Sequence, residues 1–341
     1  MQRLLKVPLH FLAIFTWNKS FRHNLFIGNL LLNRLGLHVL RVVVSHLLFR
    51  FRLLILSPLV SEQDRRQFLR DGYLVRTDFL DQQSFSRLLA EVCQYEGPIQ
   101  NILEGSTDTQ RLLLTRQIRR QLPACENLTR HGGLLALMRY TSSLNRPPVY
   151  FIENIRQHAR ATSQRDPQKD LHMDTFHPCV KGWLFLDDVN PGNGPFMFVP
   201  GSHRLSWRRL RWEYRQSLLA SQPADYPPDR YWDGSFRVTA SDLRDMGLPE
   251  PRPMTVPANT LVIANVHGFH CRGNATGPGQ RLSIWMQARD NPFLPLFTPF
   301  PTLAGRLVET IWNHFLNQEN QRLLTNHDAD VVGRFRRDEQ E

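Results

Sequence analysis

The sequence predicts a mainly β fold, a sandwich or barrel with helices supplied by its two ends. Two observations carry this. The second half holds short apolar runs cut by Gly and Pro: Val149-Tyr-Phe-Ile152, Gly182-Trp-Leu-Phe-Leu186, Phe196-Met-Phe-Val199, Thr260-Leu-Val-Ile-Ala264 and Arg281-Leu-Ser-Ile-Trp-Met286. The first half and the stretch from Leu303 to Leu324 supply helices instead.

Taken in order, the chain opens with an apolar stretch to about Ser57, punctuated by basic residues. Ser61 then reads as a helix N-cap with Asp64 in the acidic first turn, and Asp71-Gly72 as that helix's end. A short strand, Tyr73-Leu-Val75, follows. A second helix starts near Asp81, with Phe85, Leu88, Leu89 and Val92 at helical spacing. Residues 97–147 give no clear periodicity. Asn190-Pro-Gly-Asn-Gly-Pro195 is a dense turn signal between two strands. A polar and aromatic segment, about 204–257, separates these strands from the last two.

Composition narrows the class. The 341 residues suffice for a real core, and a net charge of +11 is distributed unevenly. Eight Lys or Arg residues precede Ser57 (Arg3, Lys6, Lys19, Arg22, Arg34, Arg41, Arg50, Arg52) with no Asp or Glu among them, and the remaining charges nearly cancel. Such a balance suggests an anionic surface as partner for that end, and argues against nucleic acid. Taken as a helix, His23, Arg34, His38, Arg41, Ser45 and Arg52 fall on one narrow arc, the pattern of an arm lying on the inner face of a membrane. The rival reading packs that stripe onto the rest of the protein. Arg and His interrupt the apolar residues too often for a span. Four scattered cysteines without a CxxC pair, and no signal-peptide pattern, fit the cytoplasm.

The chemistry centres on His172-Met-Asp174. In an extended segment residues i and i+2 project to one face, so a short strand can present an imidazole and a carboxylate together. Two His and one carboxylate on one face of an iron is the arrangement of non-haem Fe(II) oxygenases. Alone the triplet is a weak signal, since surface loops also carry it. A further His would come from His267-Gly-Phe-His270, and either is a candidate. His177 and Cys179 lie too close to Asp174 in sequence to serve without a folded-back turn. The Arg204–Arg215 run reads as a solvated helix face.

In this context the sequence resembles the phytanoyl-CoA dioxygenase family. The likeness lies in Gln67-Phe-Leu-Arg-Asp-Gly-Tyr-Leu-Val75 with Phe79-Leu-Asp81, and in Trp183-Leu-Phe-Leu-Asp-Asp-Val189 with Gly194. It continues in Pro200-Gly-Ser-His203 and Asn259-Thr-Leu-Val-Ile-Ala264, and covers about residues 60–290. The resemblance implies a double-stranded β-helix, the cupin-like jelly-roll, over residues 58–300. An arm (1–57) would precede it, and a helix and tail (301–341) would follow. It implies that His172, Asp174 and His270 hold Fe(II), with 2-oxoglutarate and O₂ as co-substrates. Arg281 follows His270 at the family's offset for the 2-oxoglutarate-binding Arg. Ser283 would add a hydrogen bond and Trp183 a wall. The expected reaction is hydroxylation of an aliphatic carbon on a small organic substrate, such as a lipid or acyl thioester. Desaturation or ring closure uses the same cofactors, and a jelly-roll that binds without chemistry is the rival of another class. Two departures stand out: the link from Asp174 to Trp183 is short, and Arg272 occupies a position where a small polar residue is common.

Overall fold

The computed structural model describes residues 7–157, 166–222, 231–277, 279–295, 329–335 and scattered positions from 303 to 321. The helices are α1 (Val7–Leu12), α2 (Leu30–Arg34), α3 (Leu37–Leu56), α4 (Glu62–Asp71), α5 (Gln82–Cys93), α6 (Arg116–Arg119), α7 (Pro123–Thr129), α8 (Gly132–Ser142), α9 (Trp207–Ala220) and α10 (Ala240–Met246). The strands are β1 (Tyr73–Arg76), β2 (Glu96–Glu104), β3 (Thr107–Leu113), β4 (Val149–Gln157), β5 (Val180–Phe185), β6 (Phe196–Phe198), β7 (Tyr231–Trp232), β8 (Ser235–Phe236), β9 (Arg252–Pro253), β10 (Thr260–Asn265), β11 (His270–Arg272), β12 (Gly279–Ala288) and β13 (Ala329–Arg334).

Local signals set the ends of the early helices. The Ser61 side chain accepts from the Asp64 N–H to start α4, and Asp81 accepts from the Ser84 N–H to start α5. Gly72 ends α4 at φ +86°, where a side chain would also strike the His203 ring.

Eight strands form one antiparallel sheet in the order β1-β10-β5-β12-β4-β3-β2-β13, and a smaller sheet, β11-β6-β9, faces it across the site. This is the jelly-roll. Alternation divides the large sheet into two faces. On one, Leu112, Ile152, Leu184, Leu282 and Ile284 are buried in an apolar core with Leu88 and Val92 of α5 and Leu134 and Met138 of α8. Each such side chain contributes about 2 kcal/mol by leaving water. The other face turns toward the small sheet and lines a cavity.

Most of the N-terminal basic arc is turned into the protein. His38 and Arg41 are 3% exposed, Ser45 0% and Arg52 5%, while Leu54 on the far side of α3 is 73% exposed. The polar stripe is anchored inward because it meets complementary groups there. His38 bonds Glu213 of α9 at 2.9 Å. Arg41 donates to the carbonyls of Ile14, Thr16 and Asn18 and lies 4.1 Å over the Phe176 ring. Arg52 donates to Ser143 and to the Leu294 carbonyl. Phe49, Leu53 and Leu56 of α3 share the apolar core with Phe68 and Leu74. Arg34 and His23 are exposed, and Arg3 and Lys6 lie outside the described residues.

Past residue 300 the described positions between 303 and 321 are helical, as the sequence predicts. Beyond them β13 pairs with β2 and closes that edge of the large sheet, burying Val332 and Phe335. Nothing in the sequence pattern announced this strand.

Candidate active site

Backbone pairing builds the centre of the site. His172 and His270 exchange two N–H···O bonds of 2.9 Å, so they stand directly opposite each other across an antiparallel pair. Their rings lie 4.5 Å apart. Asp174, two residues on, has its N–H tied to the Val266 carbonyl at 3.0 Å and brings its carboxylate to both rings. Its Oδ1 is 3.6 Å from His172 Nε2 and 3.5 Å from His270 Nε2. Among the described residues, these three are the group whose ligand atoms converge, all within 4.8 Å.

The tautomers follow from the second ring nitrogens. His172 Nδ1 lies 2.6 Å from the Asp170 carbonyl and His270 Nδ1 2.9 Å from that of Gly268. A carbonyl can only accept, so each Nδ1 carries a proton and each Nε2 is the ring nitrogen turned toward Asp174. Burial, with His270 alongside, lowers the His172 pKa to about 4. Burial alone would raise the Asp174 carboxyl, but Lys181, His270 and the two imidazole contacts hold it well below the usual range. Lys181 Nζ sits 2.7 Å from Oδ2. The donor set is thus two imidazoles that offer Nε2 and a carboxylate, which fits an Fe(II) of this type.

The cavity beside the triad has a volume of about 890 Å³. Its wall is one face of the large sheet. In register, Lys181, Trp183 and Phe185 of β5 lie beside Ser283, Trp285 and Gln287 of β12, which continue to Arg281 and across to Glu153 and Ile155 of β4. Arg281 is 5% exposed, and its Nε has no hydrogen-bond partner among the described residues. Burial and the nearby Arg272 lower its pKa to about 9. A buried cation with an orphaned donor fits a dicarboxylate co-substrate. Ser283 points to the same face, with its hydroxyl 3.5 Å from the Glu153 carbonyl. Trp183 lines the cavity, its ring 4.6 Å from that of Phe196. Arg272 also lines it, ion-paired to Asp166 at 2.8 Å and to Glu104 at 3.6 Å.

The other sequence candidates do not join the triad, although Cys179 lines the cavity. His267 is fully buried, with Nδ1 3.0 Å from the Thr175 carbonyl and its ring 4.5 Å from that of His46. His177 is buried against the Pro178 carbonyl, and burial raises the Cys179 thiol to about 11, so it stays protonated. Arg208, Arg211 and Arg215 are exposed on α9 as read, but Arg209 is buried in an ion pair with Glu213 at 3.0 Å. Two site residues escaped the sequence reading. Lys181 stands two before Trp183 on the same strand face, a signal that was present. Lys19, whose Nζ reaches the Asp174 carbonyl at 2.6 Å, arrives from the N-terminal segment and left none.

The buried histidines make the fold acid-sensitive. Burial lowers His46 and His172 to about 4 and His203 to about 3, and holds His177 and His267 well below their ordinary value. The unfolded chain takes up these protons near pH 6.5, whereas the native chain does not. Stability therefore falls as pH drops from about 6.5 toward 4, by about 1–2 kcal/mol per histidine at pH 5. Thermal unfolding of the metal-free protein should show a much lower midpoint at pH 5 than at pH 7.5. A flat profile across that window would contradict this.

Comparison with known proteins agrees with this geometry. Residues 68–234 match the family model described as Phytanoyl-CoA dioxygenase (PhyH). No curated protein sequence matches. Among solved structures, the epimerase SnoN, determined with Fe³⁺, α-ketoglutarate and nogalamycin RO, aligns at 18% identity and TM-score 0.45, over 68% of this chain and 83% of its own. HygX from Streptomyces hygroscopicus, with nickel and 2-oxoglutarate bound, aligns at 17% and 0.41, over 67% and 86%. The carbocyclase SnoK from nogalamycin biosynthesis aligns at 16% and 0.41, over 68% and 86%. At such identity nothing about substrate or reaction transfers. Through residues 68–234, and with its two-His, one-Asp centre, the chain is similar to the phytanoyl-CoA dioxygenase family of iron- and 2-oxoglutarate-dependent oxygenases.

Proposed function

We propose that this enzyme hydroxylates an aliphatic carbon of a small, lipid-like substrate that carries an anionic group. The observation that carries the reading is the triad with both Nε2 atoms aimed inward, beside a buried Arg281 with an orphaned donor. His172, Asp174 and His270 would hold Fe(II), and Arg281 with Ser283 would grip the far carboxylate of 2-oxoglutarate in a two-pronged fashion. Iron(II) with 2-oxoglutarate and O₂ supplies an oxidant able to take hydrogen from an unactivated C–H bond, with succinate and CO₂ as co-products. Lys181 keeps the Asp174 carboxylate ionised and turned to the centre. Trp183, Phe185, Phe196 and Trp285 exclude water and offer an apolar wall. Lys19, Lys181 and Arg289 make the mouth cationic, and a second cavity that shares them adds Arg22 and Arg237. Those cations favour an anionic head group, and the aromatic wall favours an apolar tail.

The test is turnover of 2-oxoglutarate to succinate with Fe(II), stimulated by anionic amphiphiles such as fatty acids and acyl thioesters, with ¹⁸O₂ label followed into product. Label in the product is the expected result. Product without label would assign desaturation or ring closure instead, and no iron-dependent turnover under any condition would leave a binding protein. Chlorinated product is not expected, because Asp174 fills the position that a halide would need.

A further inference from the structure

We propose that the N-terminal segment docks this enzyme on an anionic bilayer through its apolar side, the reverse of the face its basic arc suggests. Among the described residues, thirteen of the 22 exposed large hydrophobic residues lie before Ser57. On α3, Leu40, Leu47, Phe51 and Leu54 are 61%, 63%, 48% and 73% exposed, and at helical spacing they fall within a stripe of about 60°. The opposite arc is the one committed to Glu213, Ser143 and backbone carbonyls. Arg50 is then the exposed charged side chain that the helix keeps. Phe15 and Trp17, both exposed, extend the apolar surface toward the site.

Charge selects the occupant. No Asp or Glu precedes Glu62, and the exposed charged or titratable side chains of this segment are Arg22, His23, Arg34 and Arg50. Asp233 lies beside the Arg22 backbone, but among the described residues the exposed charges of the ridge's own segment are basic, which matches a lipid surface with anionic head groups. In a symmetric pair of copies the same rims would meet and repel. No helix among the described residues is long and apolar enough to cross a membrane, so the ridge would lie in the interface. Trp17, Lys19 and Arg22 also line the cavity that shares His172 and Asp174, so a docked bilayer would adjoin the site's mouth. That last step rests on the proposed lipid-like substrate, while the docking itself does not.

Co-sedimentation of the full chain with vesicles, without substrate, tests it. Binding is expected to phosphatidylcholine vesicles containing phosphatidylglycerol. It should be at least about tenfold weaker on phosphatidylcholine alone, and should fall with added salt. The triple variant Leu40→Glu, Leu47→Glu, Leu54→Glu should lose that binding by about tenfold or more while keeping the wild-type circular dichroism and 2-oxoglutarate turnover. Should it misfold, Arg34→Glu with Arg50→Glu decides the matter, with loss of the preference for phosphatidylglycerol expected. Wild-type protein that ignores both vesicles overturns the proposal, as does undiminished binding by a folded variant. A wild-type dimer in sedimentation velocity that the triple variant dissociates would give the ridge to a second copy. Failure of the substrate reading would show only in the turnover assay, not here.

Discussion

Replacing Asp174 with Asn is expected to reduce iron-dependent conversion of 2-oxoglutarate to the no-enzyme background, with the fold retained. His172→Ala should do the same. The site offers three converging ligand atoms and has no nearby substitute, since Cys179 stays protonated and His177 is bonded to a carbonyl. Asn keeps the shape of Asp174 but loses the charge that balances a divalent ion and Lys181. The same experiment separates the two later histidines. His270→Ala should lose bound iron, measured as metal per chain. His267→Ala should retain it and instead cost about 2–4 kcal/mol of stability, because it opens a hole and strips a partner from buried Arg209 and the Thr175 carbonyl. Iron content that followed His267 and not His270 would overturn the ligand assignment.

Arg281→Met should raise the KM for 2-oxoglutarate by about two orders of magnitude or more while leaving iron content unchanged. A buried two-pronged bond to a carboxylate is lost, typically about 3–5 kcal/mol. Arg281→Lys should recover only part of this, since an ammonium cannot present the planar fork. Thermal unfolding gives a second readout. Saturating 2-oxoglutarate with iron should stabilise the wild type by about 2–3 kcal/mol at a hundredfold excess over Kd, and the Met variant hardly at all. Without co-substrate, the Met variant should be no less stable than wild type, because its parent buries a cation whose Nε donor has no partner and whose charge Glu153 only partly offsets. An unchanged KM would move the co-substrate's carboxylate to another cation on the wall, such as Arg111 or Arg272.

Much of this could be read in the chain because the signals are local. Strand alternation needs only neighbours, so the face that Ser283 shares with Arg281 is legible without a structure. The caps at Ser61 and Asp81 are likewise bonds to residues three along. Residues 97–147 resisted because β3 buries polar groups. Thr107, Asp108, Thr109 and Gln110 are all under 6% exposed, so no apolar pattern marks the strand. Strand β13 was hidden for a related reason, since its place is set by pairing with β2 rather than by its own sequence.

By itself the sequence determined the chemistry: an imidazole and a carboxylate two residues apart on an extended segment, and the apolar strands that carry their partners. The residues alone left two later histidines open, the resemblance implied His270 from its offset to Arg281, and the tertiary structure shows the physical difference between them. His270 stands opposite His172 in a backbone pair, and His267, three residues earlier, turns into the core beside His46 and Arg209. Tertiary structure alone decided which way α3 faces. An amphipathic stripe fixes two sides but not their destinations, and here buried carbonyls and Glu213 took the polar side and left the apolar side outward. Partners distant in sequence set that orientation, and no local pattern encodes where they are.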